Sequence, residues 1–468
     1  MVVGVGLTTL TGCNSSTYGS SSSSDDVAMI TYFTLDHDSF PALEEADFDV
    51  NWCGDGLVGL IINEDSMPVG TPLTAVHPSF GFYATPSEAR ITISHYRDTA
   101  VTRINPDSVF TKSLTSRDTL NFDADSIFVK VVSANGQVTK IYRIVPLVHT
   151  ADPNKYQWER KNANVYDVHE NDVQQLMRDG ETLMLYVGNT AEAPRLYTCP
   201  VAQAMQGGQW EAQPVNGLPV GCKVRQIILN SVDHQYYYGQ ENAIYTSSDG
   251  KSWSSQGSDR AVMATMFTFA DSEGTIRPWF ITKDRNSRFA LTYWTAESGF
   301  KEFLSLQADS MPVSGFTVVH FQTASARSRL IVLGGMTDNG VMLRKRWSLE
   351  NSEYVGTRLT DYSAEPMSFP LMLNAAAVSY GNSLLLFGAQ DGDYQYIGRH
   401  VYQSSDEGMN WTLVDTTECQ MPEEFKERKN VCAVVYEDKK IIVIGGSDNL
   451  KAYSDLYVGY KNEVAWKE

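Results

Sequence analysis

Ser404, Asp406, Gly408 and Trp411 stand in the pattern S-x-D-x-G-x-x-W within YQSSDEGMNWTLV, residues 402–414. Two kinds of chemistry compete for such a set. Carboxylates serve as acid and nucleophile where sugar bonds are cleaved. Alternatively, a short Ser or Asp side chain accepts hydrogen bonds from nearby backbone N–H groups and holds a tight turn. Gly408 would then supply a backbone conformation that a Cβ opposes. A second copy, one residue shorter, is Ser247-Ser248-Asp249-Gly250-Lys251-Ser252-Trp253. Two copies in the same phase of a repeat favour the turn.

Other chemistry is thinly signalled. There is no H-E-x-x-H, no phosphate-binding glycine loop and no G-x-S-x-G. The eight histidines are scattered and form no ligand set. Beyond Cys13, the cysteines are Cys53, Cys199, Cys222, Cys419 and Cys432, with no C-x-x-C to hold zinc. Cys419 with Cys432, and Cys199 with Cys222, could pair in an oxidising compartment; buried free thiols are the alternative. No cofactor is expected, and a metal is left open.

The most distinctive candidate binding loop is Asp391-Gly392-Asp393-Tyr394-Gln395-Tyr396. Tyr394 and Tyr396 offer large area at low entropy cost, for stacking on a sugar or anchoring a protein. Asp391 and Asp393 could bind calcium, but the spacing lacks further oxygen ligands. Arg285, Arg288, Arg344 and Arg399 are expected on the same face, where they would suit an anionic ligand.

These residues must be positioned by a chain of 468 residues with formal net charge −19, 42% hydrophobic and 20% charged. That reads as globular, long enough for more than one domain, and unsuited to nucleic acid, whose phosphates an acidic surface repels. No apolar run reaches the ~18 residues of a spanning helix. Residues 1–13 are apolar or small and end in Leu10-Thr11-Gly12-Cys13, which resembles a bacterial lipobox. A lipoprotein signal remnant with Cys13 as the lipidated residue is therefore expected, although no basic region precedes it. Residues 14–26 are a serine-rich tether.

Residues 27–150 alternate apolar and polar positions over ARITISHY (89–96), DSIFVKVVS (125–133) and TKIYRIVPLVH (139–149), with an Asn135-Gly136 hairpin signal between the last two. A β-sandwich is expected. From 155 to 468 the chain repeats. Apolar runs end near Gly188, Gly239, Lys283, Gly334, Gly388 and Gly445, roughly 50 residues apart, each followed by a second strand-like stretch and an aromatic such as Trp210, Trp253, Trp411 or Trp466. Four short strands per unit make a propeller blade, and stacking the blades radially buries both faces of each sheet. Six blades are expected, with Tyr156–Arg160 as a candidate extra outer strand closing the ring.

Several resemblances follow. The closing hairpin of 27–150 resembles immunoglobulin-like or cadherin-like modules. LIVLGGMTDNG and IIVIGGSDNL resemble kelch repeats, and S-x-D-x-G-x-x-W resembles the Asp-box of sialidases, where it lies outside the ring and away from the chemistry. The sialidase Arg-Ile-Pro motif is absent, so the resemblance implies the turn and no catalytic residue. The whole layout, with Asn63-Glu64-Asp65-Ser66-Met67-Pro68-Val69-Gly70-Thr71, resembles Bacteroidales-type surface lipoproteins. That implies an exported outer-membrane lipoprotein, on the periplasmic or cell-surface side. The expected role is non-catalytic binding of a glycan or a protein through the propeller mouth. The alternatives are a glycoside hydrolase of sialidase-like geometry or a structural component of a surface complex.

Overall fold

The computed structural model describes residues 24–52, 58–63, 65–96, 106–114, 119–189, 191–307, 309–352, 354–363 and 369–462, with backbone alone at 95–96 and 106–110. Cys13 with the rest of 1–23, Cys53, Glu64 and Trp466 lie outside the described residues. The chain divides into two compact units, Met1–Pro153 with Asn462–Glu468, and Asn154–Lys461.

In the first unit, alternation is converted directly into a buried face. Ile127, Val129 and Val131 of the strand Ser126–Val132 are buried, as are Ile91 and Ile93 of Glu88–Tyr96. These strands lie in a six-stranded sheet ordered Phe48–Asn51, Gly59–Asn63, Thr139–Val145, Ser126–Val132, Glu88–Tyr96, Pro106–Ser113. The pair Gly59–Asn63 with Thr139–Val145 is parallel. A two-stranded sheet, Ile30–Asp36 with His77–Phe82, shares its core through Ile30, Phe33 and Leu35. The expected hairpin turn is present: Gly136 has φ 74° and Asn135 Oδ1 accepts from Gln137 N at 3.0 Å. Pro146 lacks an N–H, and the strand expected to reach 149 ends at Val145. Asn63, buried, ties the end of the strand Gly59–Asn63 to the segment after Thr139–Val145. Its amide donates to Leu147 O at 2.9 Å, and its Oδ1 accepts from Leu147 N at 2.7 Å.

In the second unit the apolar runs become strands buried on both faces. Thr182–Gly188 is buried at every position after the first, as a strand between two sheets must be. The sheets, in chain order, begin with Val173–Asp179, Thr182–Gly188, Arg195–Pro200 and Glu211–Gln213. A six-stranded sheet follows, made of Ile228–Asn230, Gln235–Ser247, Ser254–Ala270, Ile276–Lys283, Phe289–Thr295 and Gly299–Leu306. Two repeats expected to form separate sheets are thus joined. Gln235–Ser247 and Ser254–Ala270 run on through a register shift between Glu241 and Ala243, where Glu241 takes φ 53°. Ser314–Gln322, Ser328–Met336, Arg346–Ser352 and Gly356–Asp361 form the next sheet, and Ala376–Tyr380, Ser383–Phe387, Tyr402–Ser404 and Thr412–Leu413 another.

The last sheet orders Cys432–Tyr436, Lys440–Ile444, Leu456–Lys461 and then Tyr156–Asn162. The first strand of the unit is therefore the outer strand of its final sheet. The innermost strands form a closed cycle of contacts: Val173–Asp179, Ile228–Asn230, Ser254–Ala270, Ser314–Gln322, Ala376–Tyr380, Cys432–Tyr436, and back to Val173–Asp179. The cores lie between neighbouring sheets. Leu183, Leu185 and Val187 of the first pack with Ile442, Ile444 and Leu456 of the last.

Cys199, Cys222, Cys419 and Cys432 are buried free thiols, and neither considered pairing forms. Cys222 and Cys419 lie in different clusters from Cys199 and Cys432. Burial pushes the Cys222 and Cys419 thiols up to about 12, which disfavours the reactive thiolate.

Candidate functional site: the loop face and the axis of the ring

Antiparallel strands alternate in direction. In the four-stranded sheets, connections from second to third strand, and from fourth strand to the next sheet, therefore emerge at one end of the ring. Connections from first to second and from third to fourth emerge at the other. The candidate loop at Asp391–Tyr396 belongs to the first end and both S-x-D turns to the second.

The turns are built by their own side chains. Ser404 Oγ donates to Asp406 Oδ1 at 2.8 Å and accepts from Gly408 N at 2.8 Å, while Asp406 Oδ1 also accepts from Asn410 N at 2.8 Å. The indole of Trp411 donates to Gly408 O at 3.1 Å. The shorter copy repeats this plan: Ser247 Oγ donates to Asp249 and accepts from Gly250 N, both at 2.9 Å, and Trp253 donates to Gly250 O at 3.2 Å. Gly408 and Gly250 have φ 85° and 70°. Each glycine is pressed against the preceding sheet. A Cβ on Gly408 would meet Ile331 Cδ1 at 2.3 Å, and one on Gly250 would meet Met184 Cε and the Tyr186 hydroxyl at 2.8 Å. These serines, aspartates, glycines and tryptophans thus join sheets, and their carboxylates are occupied by the turn.

At the other end, the Asp391 carboxylate is engaged by its own loop. Its Oδ1 accepts from Asp393 N and Gln395 N, both at 2.9 Å, and no group of three acidic, His or Cys residues that could hold a metal occurs among the described residues. Asp393 is exposed and does not join it. Tyr394, at φ 60°, is 54% exposed. The Tyr396 hydroxyl donates to Asn449 Oδ1 at 2.9 Å, tying this loop to the next sheet's. The same end exposes Val220, Val341 and Leu450, at 65%, 57% and 83%.

The four arginines expected on this face lie on second-to-third-strand connections there. Arg288 pairs with Asp284 at 2.8 Å, and Arg399 Nε donates to Met421 O at 2.6 Å, while Arg285 and Arg344 are exposed. Arg195 pairs with the buried Asp172. The fully buried Arg428 pairs with Asp455 at 2.5 and 3.1 Å and packs on the Tyr453 and Phe425 rings.

The residues that sequence reasoning missed lie on the axis. Arg225 and Gln226 precede the inner strand Ile228–Asn230. Arg225 Nη1 donates to Gln174 O at 3.4 Å, Asn430 O at 3.1 Å and Val431 O at 3.4 Å, and Nη2 to Ala375 O at 3.3 Å. Gln226 donates to Val313 O at 2.8 Å and accepts from Thr265 N at 3.3 Å. Two adjacent residues thereby bond to the other five inner strands or the residues leading into them. They close the axis at the loop end. Behind them runs a cavity of about 310 Å³, lined by Arg225, Gln175, Thr268 and His320. It continues into a wider space of about 750 Å³, bordered by Val232, Gln322, Gly381 and Asp438 at the opposite end. His320 is open to this space, and desolvation by the protein around it lowers its imidazole to about 4. The local string KVRQII holds no motif that marks Arg225 for this position.

No curated protein matches the chain. Among solved structures it is similar to YjhT, at 12% identity and TM-score 0.44, covering 66% of this chain and 100% of that one. It is also similar to the SapL1 lectin in complex with alpha methyl fucoside, at 14% identity and TM-score 0.36, covering 60% of this chain and 90% of that one. Residues 152–468 match the family model of the DUF6242 beta propeller domain, and residues 23–145 match that of the DUF6242 N-terminal domain, a domain of unknown function. The ring of sheets is thus a β-propeller, and the chain belongs to the DUF6242 family.

Proposed function

We infer that this protein is a non-catalytic binding module, whose propeller holds a protein partner on its loop end. One observation carries the reading: Val220, Val341, Tyr394 and Leu450 expose apolar surface from four separate connections that share that end. Aliphatic side chains together with a tyrosine suit a protein surface. The opposite end exposes Val232 and the single hairpin tip Tyr354–Val355. A glycan stacked on Tyr394 is the second reading, favoured by the Tyr394–Tyr396 pair beside Asn449. A photo-crosslinking residue placed at 394 and at 450 tests the choice, with Glu297 of the opposite end as control. Discrete protein adducts from 394 and 450 alone support the protein reading. Equal adducts from 297, or glycan-array binding without protein adducts, overturn it.

The ring is read as six-bladed, the six-stranded sheet supplying two blades; the cyclic order of the inner strands supports this. The first unit is read as an immunoglobulin-like sandwich, because two sheets share one core. The chain is read as an envelope lipoprotein anchored through Cys13, on the strength of Leu10-Thr11-Gly12-Cys13 and the serine-rich stretch after it. Metabolic labelling with an alkyne fatty acid that Cys13→Ser leaves intact would sink that reading.

A further inference from the structure

The axis of the ring is a blind pocket, and its floor carries a cation. Arg225 and Gln226 seal one end, so access is from the end that bears the first-to-second-strand turns, opposite the loop face. The Arg225 guanidinium is held only by carbonyl oxygens and the Cys432 sulfur, and among the described residues no carboxylate pairs with it. A guanidinium has five N–H donors; the Arg225 Nε–H has no partner among the described residues. In a chain of net charge −19, that leaves one uncompensated positive charge in an enclosed wall, where Coulomb attraction is poorly screened.

The other lining groups complete the picture. The Gln175 amide donates to Ile227 O at 3.3 Å and the Thr268 hydroxyl to Leu229 O at 3.1 Å, so each retains acceptor capacity toward the space they line. Ser231 and His320 add further polar groups, while Val318 and Ala377 are apolar. The second arginine of the wall, Arg178, pairs with Glu181 at 3.1 Å, and Asp438 borders the open end. Among the described residues of the wall, a single guanidinium without a carboxylate partner, with Asp438 at the mouth, favours a single negative charge over a phosphate dianion. The volume of about 310 Å³ is within the range of small-molecule sites.

We propose that the blind axial pocket binds a small hydroxylated monocarboxylate, its carboxylate on Arg225 and its hydroxyls on Gln175, Thr268 and Ser231. The guanidinium fork matches a carboxylate geometrically. The ligand enters from the turn end and leaves the loop face free, so this site is independent of the protein-binding reading.

The test titrates the full chain with lactate, D-gluconate and D-glucuronate, followed by saturation-transfer NMR and calorimetry, with D-glucose as the neutral control. At least one carboxylate is expected to bind at least tenfold tighter than glucose. Ala377 lines both parts of the channel. Ala377→Trp should therefore weaken binding at least tenfold without changing the melting temperature appreciably. Arg225→Gln should abolish the preference for carboxylate over glucose; should it fail to fold, the Ala377→Trp result decides. Failure of all three carboxylates to saturate the folded protein overturns the proposal. So does equal binding of glucose, or binding indifferent to Ala377→Trp.

Discussion

Arg225 donates to the carbonyl oxygen of Asn430 at 3.1 Å across 205 residues of sequence. The bond ties the segment entering one inner strand to the segment entering another. With Gln226 it fastens the inner ends of the ring to a single point. Hydrogen bonds from a charged donor contribute about 1.5–3 kcal/mol, and a buried acceptor left without a donor costs a similar amount. Arg225→Ala is therefore expected to lower stability by about 2–4 kcal/mol, and Gln226→Ala by about 1–3 kcal/mol. The two should be non-additive, because each holds the same mouth. Urea denaturation of both single variants and the double measures this.

The S-x-D turns should behave as joints between sheets. Ser404→Ala leaves the buried N–H of Gly408 without its acceptor and should cost about 1–3 kcal/mol. Gly408→Ala combines a positive φ with a clash against Ile331, and should cost at least as much. Trimming the neighbour in Ile331→Ala should recover part of the Gly408→Ala loss in a double-mutant cycle, which a purely local turn would not show.

Arg428 and Asp455 form an ion pair shut away from water. Removing one partner leaves a buried charge unpaired, a loss of about 3–5 kcal/mol. Arg428→Met and Asp455→Asn should each be strongly destabilising. The double variant should be less destabilised than the sum of the two. Tyr457, whose hydroxyl donates to Asp455 at 2.9 Å, should respond to the same changes in its fluorescence.

Acid should loosen the turns before it affects the cores. The backbone N–H of Ser252, outweighing burial, helps hold Asp249 down at about 2, and hydrogen bonds from Asn410 overcome burial to lower Asp406. A carboxylate depressed in the folded state stabilises it fully above its unfolded value, near 4, and loses that contribution as pH falls toward its folded value. The melting temperature should therefore fall between about pH 4 and 2. Asp249→Asn should flatten that slope in the same window.

Much of this was legible in the sequence because it is local. Alternation over SIFVKVV predicts the face that buries Ile127, Val129 and Val131. Asn135-Gly136 and the two S-x-D copies specify turns from within a few residues of themselves. Glycine-ended apolar runs mark strands buried on both faces. The Asp391 turn is local in the same way: its carboxylate is used by the backbone two and four residues on.

What the sequence by itself determined was the inventory: β units in series, punctuated by self-contained turns, with apolar runs that only neighbouring sheets can cover. The tertiary structure alone decided which groups meet on the axis. Arg225 finds acceptors in sheets that lie far along the chain in both directions, and Tyr156–Asn162 finds its partner strand at the other end of the unit. A hydrogen bond across a ring depends on closure, and closure leaves no period in the residues that make it.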